Sequence, residues 1–91
     1  MSAKLEVAVQ RASQAEALLR NELLSWAFKE LERRILETWG STTLPERDAR
    51  EKLWLACQTI GDVRNLLHLL VRDGKIAQQD LERMAGLNRA A

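Results

Sequence analysis

The chain has 91 residues, 30% of them charged, and a formal net charge of +1 at pH 7. This length allows one small domain, so we expect a single helical domain over residues 1–91. The near balance of charge argues against a dedicated nucleic-acid-binding protein and against a polybasic membrane anchor. One cysteine excludes an intrachain disulfide and a cysteine-based metal cluster. No apolar run approaches roughly 18 residues, so we expect no membrane span and no membrane partner.

The first helical region spans about residues 2–39. Helix-forming residues dominate the chain and no strand-like alternation persists, so we expect an all-α fold. Apolar residues recur every three or four positions in this region, but the phase of the pattern shifts at Asn21. Asparagine is a favoured helix N-cap. The region is therefore either one long helix or two helices hinged near Asn21, and we favour a bend or break there.

The second helical region follows a short loop in the sequence GSTTLPE. Gly40 suits a left-handed helix cap, and Thr43 with Glu46 has the spacing of a capping box. We therefore expect a second long helix that begins near Leu44 and is stopped by Gly74. Its apolar residues form a heptad seam of Ala49, Leu53, Ala56, Ile60, Val63, Leu67 and Leu70.

A short third helix is predicted in the sequence IAQQDLERMAG, with Gly86 as its stop. Because the loop between the long helices is short, we expect them to fold back antiparallel. A loop centre at Thr42 would place Phe28 opposite Ala56, and the mid-helix Gly61 predicts a close helix crossing. The predicted fold is an antiparallel helical hairpin of two long helices, the first bent or broken near its middle, plus a short C-terminal helix.

The polar residues do not form a catalytic or metal-binding set. Cys57 and His68 are eleven residues apart, which is about 16 Å along one helix, whereas a nucleophilic pair needs about 3 Å. We interpret Cys57 as a small core residue and His68 as a polar surface or partly buried residue. Most carboxylates have the spacing of exposed helical ion pairs. These pairs are Glu30–Arg34, Glu46–Arg50, Arg47–Glu51 and Asp48–Lys52. We expect no enzyme activity, no cofactor and no metal.

The end of the second helix carries more apolar residues than one partner helix covers. This surplus predicts self-association, most simply as a dimer. Tryptophan is enriched at interaction hot spots, and Trp39 and Trp54 are the two we expect to be partly exposed. The candidate protein interface consists of Trp39, Trp54, Leu55, Leu66, Leu69 and Val71.

A nucleic-acid-binding role is an alternative that the C-terminal sequence raises. IAQQDLERMAGLNRAA is similar to the first half of a helix-turn-helix motif with a turn at Gly86 and Leu87. Glu82 stands where that motif normally has a small residue, so we prefer a packing helix. The residues that would contact phosphates are Arg11, Arg20, Arg33, Arg34, Arg64 and Arg72.

Two stretches, LLSWAFKELERRILETW and AREKLWLACQTIGDVRNLLHLLVRDGKIA, carry a family resemblance. They resemble a group of small, largely uncharacterised helical proteins encoded among the head and DNA-packaging genes of tailed bacteriophages and prophages. The resemblance covers about residues 15–81 and rests on the apolar and charged pattern with its tryptophans. No catalytic residue is carried over.

The resemblance implies a non-enzymatic phage structural or assembly protein. It would act through helix-mediated contacts with itself and with phage head or packaging proteins, in the host bacterial cytoplasm or in the virion. A charged N-terminal segment without an apolar signal-peptide core also predicts the cytoplasm. The alternatives are a phage-encoded inhibitor or adaptor that binds a host enzyme, and a nucleic-acid-binding accessory protein.

Overall fold

The computed structural model describes residues 2–43 and 45–90, which form three α-helices and, within those residues, no strand. The helices are α1 (Ser2–Arg20), α2 (Glu22–Gly40) and α3 (Arg47–Ala90). The prediction of an all-α fold is confirmed. The predicted hairpin with a short C-terminal helix is not confirmed, because the last helix is one long helix.

The break between α1 and α2 lies at Asn21, where the sequence predicted it. Asn21 has an extended backbone conformation, with φ −70° and ψ 116°, and its side chain accepts a hydrogen bond from the Leu24 backbone N–H at 2.9 Å. Glu22 follows in the first turn, where a negative charge favours the positive end of the helix. The break therefore coincides with an N-cap that the local sequence encodes.

The end of α2 differs from the predicted glycine cap. Gly40 is the last helical residue, and the described glycines all lack positive φ. The C-cap is Ser41, whose N–H bonds the carbonyls of Glu37 and Thr38 at 3.2 Å each. The Thr42 hydroxyl donates to the Trp39 carbonyl at 2.6 Å. The cap prediction at Gly40 is wrong because serine and threonine side chains satisfy the last carbonyls instead.

The start of α3 lies later than predicted, at Arg47. The predicted start near Leu44 falls on a residue outside the described part of the chain. Thr43 and Glu46 do interact as the capping-box spacing indicates, since the Thr43 hydroxyl donates to the Glu46 carboxylate at 2.9 Å. The Glu46 carbonyl accepts the Arg50 N–H at 3.1 Å and so opens the helix.

The predicted helix stops at Gly74 and Gly86 are both wrong. α3 continues through each of them to Ala90. The predicted short C-terminal helix is therefore the last part of α3, and the helix-turn-helix hypothesis loses the turn that it needs. Gly74 is a buried residue in the middle of α3. A close contact with α1, and not a turn of the chain, explains why this position is a glycine.

The contacts within the chain divide it into two compact units. One unit spans residues 21–65 and contains α2 and the first part of α3. The other unit consists of α1 and the part of α3 from Leu66 onward. The expectation of a single domain over residues 1–91 stays a prediction.

In the unit of residues 21–65, α2 and the first part of α3 run antiparallel. Trp39 at the end of α2 contacts Arg50 near the start of α3, and Phe28 in α2 contacts Arg64 further along α3. Ile60 is the buried apolar residue of this unit, 7% exposed. Phe28 thus contacts a residue eight positions beyond the Ala56 that the predicted register placed opposite it.

In the other unit, α1 packs against α3 through small residues. Ala15 is 2% exposed and Ala77 is 3% exposed. A methyl group built on Gly74 would overlap the Ala12 Cβ and would lie 3.2 Å from the Ala8 carbonyl oxygen. The close helix crossing predicted at Gly61 is wrong, because nothing lies within 4 Å of a Cβ built there. The crossing occurs at Gly74.

Candidate protein-interaction surfaces

Three predicted interface residues, Trp39, Trp54 and Leu55, lie in the unit of residues 21–65. The structure brings only the two tryptophans together. Trp39 lies in the last turn of α2 and Trp54 in the second turn of α3, and both line the same cleft. Trp54 is 55% exposed, whereas Trp39 is half-buried. Leu55 is equally exposed but is not among the residues that line this cleft. Their role as an interface stays a prediction.

The cleft between the two tryptophans has two adjoining parts. The polar part has a volume of about 340 Å³ and is lined by Trp39, Arg47, Arg50, Glu51 and Trp54. The apolar part has a volume of about 170 Å³ and is lined by Ile35, Leu36, Trp39, Leu53, Trp54 and Cys57. We call the two parts together the tryptophan cleft.

Arg50 is held in the tryptophan cleft by stacking instead of by an ion pair. Its guanidinium carbon lies 4.4 Å from the centre of the Trp39 ring. Its Nε is buried and has no hydrogen-bond partner in the described structure. The predicted pair with Glu46 does not form, because that carboxylate accepts a hydrogen bond from Thr43. Cation–π stacking fixes the plane of the guanidinium but leaves its charge uncompensated.

Arg64 joins α2 to α3 at the end of this unit that lies away from the tryptophan cleft. Its guanidinium forms an ion pair with the Glu32 carboxylate at 2.8 Å, and its guanidinium carbon lies 5.0 Å from the centre of the Phe28 ring. Both charged side chains are about one-third exposed, so the ion pair is partly shielded from solvent. Arg64 therefore acts as a structural tie between α2 and α3.

A second exposed surface lies on α3 in the unit that contains α1. Leu66, Leu69 and Ile76 are separated by three and seven residues, so they share one side of the helix. They are 57%, 41% and 51% exposed. Met84 and Leu87 continue the same side toward the end of α3 and are exposed. We call these five residues the α3 stripe. Val71, predicted with them, is half-buried.

The outer face of α2 carries a charged cluster centred on Glu30. Its carboxylate bonds Arg33 at 2.6 Å and Arg34 at 3.2 Å, and Arg33 also bonds Glu37. The predicted Glu30–Arg34 pair is thus confirmed. The hydrogen bond from Arg33, reinforced by Arg34, lowers the pKa of Glu30 to about 2. The same carboxylates raise the pKa of Arg33. Its arginines and Glu37 are more than half exposed, whereas Glu30 at the centre is only 20% exposed.

The titratable residues considered for chemistry do not form a reaction centre. Cys57 is half-buried and lines the apolar part of the tryptophan cleft, so it is less buried than a core residue. His68 is exposed, as expected for a polar surface residue. Within residues 2–43 and 45–90, no group of three or more histidine, cysteine and acidic residues is placed to hold a metal ion.

The arginines proposed for phosphate contacts mostly have a carboxylate partner. Ion pairs involve five of the six: Arg20, Arg33, Arg34, Arg64 and Arg72. Arg11 lies in a shallow groove on α1 beside Lys4 and Val7. A phosphate would have to compete with these internal carboxylates, so the arrangement gives no support to the nucleic-acid alternative.

The exposure of three apolar residues of α2 was not predicted from the sequence. Leu23 is 72% exposed, Trp26 is 58% exposed and Leu36 is 64% exposed. Leu36 is important because it lines the tryptophan cleft. Leu31 is also exposed, at 48%. A helical wheel drawn from the Asn21 cap onward places Leu36 away from the inner face of α2. The sequence alone therefore could have indicated that Leu36 is exposed.

No family model, curated protein or solved structure is detectably similar to the chain. Among the described residues, no helix combines the length and the apolar character required to cross a membrane.

Proposed function

We propose that the protein is a non-enzymatic helical protein that acts through protein–protein contacts, beginning with a second copy of itself. The mismatch between its small core and its exposed apolar surface carries this proposal. Within the described residues, the buried apolar residues are Ala15, Ile60 and Ala77, and no large side chain is fully buried. At least fourteen large apolar side chains are exposed. Such a chain gains stability by covering that surface with a partner.

The α3 stripe is the surface that we assign to self-association. Its leucines and isoleucine lie on one side of one helix and are roughly half exposed. Identical chains most often pair through a twofold axis, which brings the same surface of each chain together. The α3 stripe of one chain would then pack against the α3 stripe of the other. This contact would enlarge the small core of the α1-containing unit in each chain.

Light scattering at micromolar concentration tests this assignment. We expect a dimer mass for the unchanged protein and a monomer mass for the double variant Leu66→Glu with Leu69→Glu, because four carboxylates would have to be buried in each dimer. Leu23→Glu is the control for added negative charge, since it places one carboxylate on an exposed leucine of α2. A dimer mass for the double variant would contradict the assignment of the α3 stripe.

We further propose that the partners beyond self are head or packaging proteins of a tailed phage, met in the host cytoplasm or in the virion. The family resemblance of residues 15–81 supports this. The test is mass spectrometry of purified virions and of material captured from the infected host. Presence in the virion or on head-assembly intermediates supports the proposal, whereas capture of a host enzyme alone favours an inhibitor or adaptor.

A further inference from the structure

We propose that the tryptophan cleft binds an acidic peptide segment of a partner protein, which inserts one bulky apolar side chain and places a carboxylate against Arg50 and Arg47. The site shares no residue with the α3 stripe. It rests on the proposed function only in that the protein works through contacts with other chains. The inference follows from the shape, the exposed indole and the uncompensated charge of the cleft.

The apolar part of the cleft fits a single side chain. Its volume of about 170 Å³ is bounded by aliphatic and indole groups of both helices. This volume is smaller than the roughly 300–1,000 Å³ of sites for drug-sized ligands. The flanking Trp54 and Leu36 are 55% and 64% exposed, so an inserted side chain would cover apolar surface that now faces water. A large aliphatic or aromatic residue gains the most from this burial.

The polar part of the cleft selects for a negative group beside that side chain. Arg47 and Arg50 both line it, against one carboxylate from Glu51. Within the described residues, ion pairs involve neither of these arginines. The guanidinium of Arg50 is already oriented by Trp39. A fixed guanidinium plane binds a carboxylate through two parallel hydrogen bonds at a low entropic cost.

A protein segment fits this arrangement better than a nucleic acid does. Arginine beside tryptophan is also the chemistry of single-strand stacking sites. Here, however, the Glu51 carboxylate lines the polar part and would repel a run of phosphates. One carboxylate next to one apolar side chain satisfies the cleft without adding further negative charge. The occupant is therefore a short acidic and apolar segment.

The experiment follows the indole N–H signals in two-dimensional NMR during titration with the peptide acetyl-AAFLEEAA-amide. We expect saturable shifts of the Trp39 and Trp54 signals and none of the Trp26 signal, assigned through single Trp→Phe variants. Replacing both peptide glutamates by glutamine should weaken binding about tenfold or more, because charged hydrogen bonds are lost. Replacing them by lysine should abolish it.

Matched variants of the protein locate the site. Arg50→Gln should weaken peptide binding about tenfold or more, and Arg47→Gln should weaken it without disturbing the stacking on Trp39. Lys52→Gln is the control, because it removes the same charge from α3 outside the cleft. Circular dichroism checks that each variant is helical. The Leu66→Glu, Leu69→Glu variant should retain peptide affinity, so failure of the α3 stripe and failure of the cleft are distinguishable.

Several results would overturn the proposal. Equal affinity for the glutamate and glutamine peptides would remove the role of Arg50. Equal losses in Arg50→Gln and Lys52→Gln would indicate general charge attraction. Shifts of the Trp39 and Trp54 signals on raising the protein concentration alone would show that a second copy occupies the cleft. Tighter binding of oligothymidine than of the acidic peptide would assign the cleft to single-stranded nucleic acid.

Discussion

Gly74 illustrates how one missing side chain sets the packing of α1 against α3. In isolation, a mid-helix glycine costs about 1 kcal/mol relative to alanine. Here the absence of a Cβ lets the α1 backbone approach, with the Ala8 carbonyl oxygen 3.2 Å from where that atom would be. The helix continues through the glycine because the packing gained at this crossing offsets the low helix propensity.

Gly74→Ala should therefore destabilise the protein, although alanine is the better helix former. The added methyl overlaps the Ala12 Cβ, which has no rotamer that moves it away. Overpacking of this kind costs typically about 1–3 kcal/mol, only partly offset by helix propensity. Urea unfolding followed by circular dichroism measures the change.

Gly61→Ala is the matched control for Gly74→Ala. No atom lies within 4 Å of the added methyl at Gly61, so we expect a gain of about 0.5–1 kcal/mol. Ala12→Gly combined with Gly74→Ala should recover part of the lost stability. Equal effects of the two single glycine substitutions would contradict the close crossing.

The Glu30 cluster gives a prediction about pH. The pKa of Glu30 in the folded chain is about 2, below the ordinary value of 4.5, because Arg33 and Arg34 bond its charged form. Its contribution to stability is therefore complete above pH 4.5 and is lost as the pH falls toward 2. Carboxyl NMR titration should show the low pKa, and Arg33→Gln should raise it. An ordinary pKa in the unchanged protein would contradict the network.

Features of the helices that depend on neighbouring residues could be predicted from the sequence, whereas features that depend on packing between helices could not. The break at Asn21 was predicted because a cap depends only on neighbouring residues. Gly74 was misread as a stop because its reason for being glycine lies on α1, far away in the sequence. The exposure of Trp54 followed from its position off the seam. Its shared cleft with Arg50 and Leu36 depends on the register of α2 against α3, which the loop length did not fix.

The cap at Asn21 should decide where α2 begins. Asn21→Ala removes the acceptor of the Leu24 N–H and should cost about 1 kcal/mol. Asn21→Asp keeps an acceptor oxygen and should retain most of the stability. Thermal unfolding of the three proteins provides the comparison. If Asn21→Ala were as stable as the unchanged protein, the side-chain cap would not contribute to the fold.

At the scale of the whole molecule, exposed apolar residues outnumber buried ones by a wide margin. Among residues 2–43 and 45–90, three small or medium apolar residues are buried, whereas the exposed tryptophans, leucines and valines include some of the largest side chains. Under the proposed function, these exposed side chains are the ones that a second copy would cover. Association should therefore add to the stability of the folded chain by mass action.

The dependence of unfolding on protein concentration tests this contribution most directly. If a second copy completes the core, the urea midpoint should rise as the protein concentration is raised from 1 to 100 µM. Each tenfold increase adds about 1.4 kcal/mol to the apparent stability of a dimer that dissociates as it unfolds. A midpoint that stays constant over this range, with the chain fully helical at both ends of it, would contradict the account.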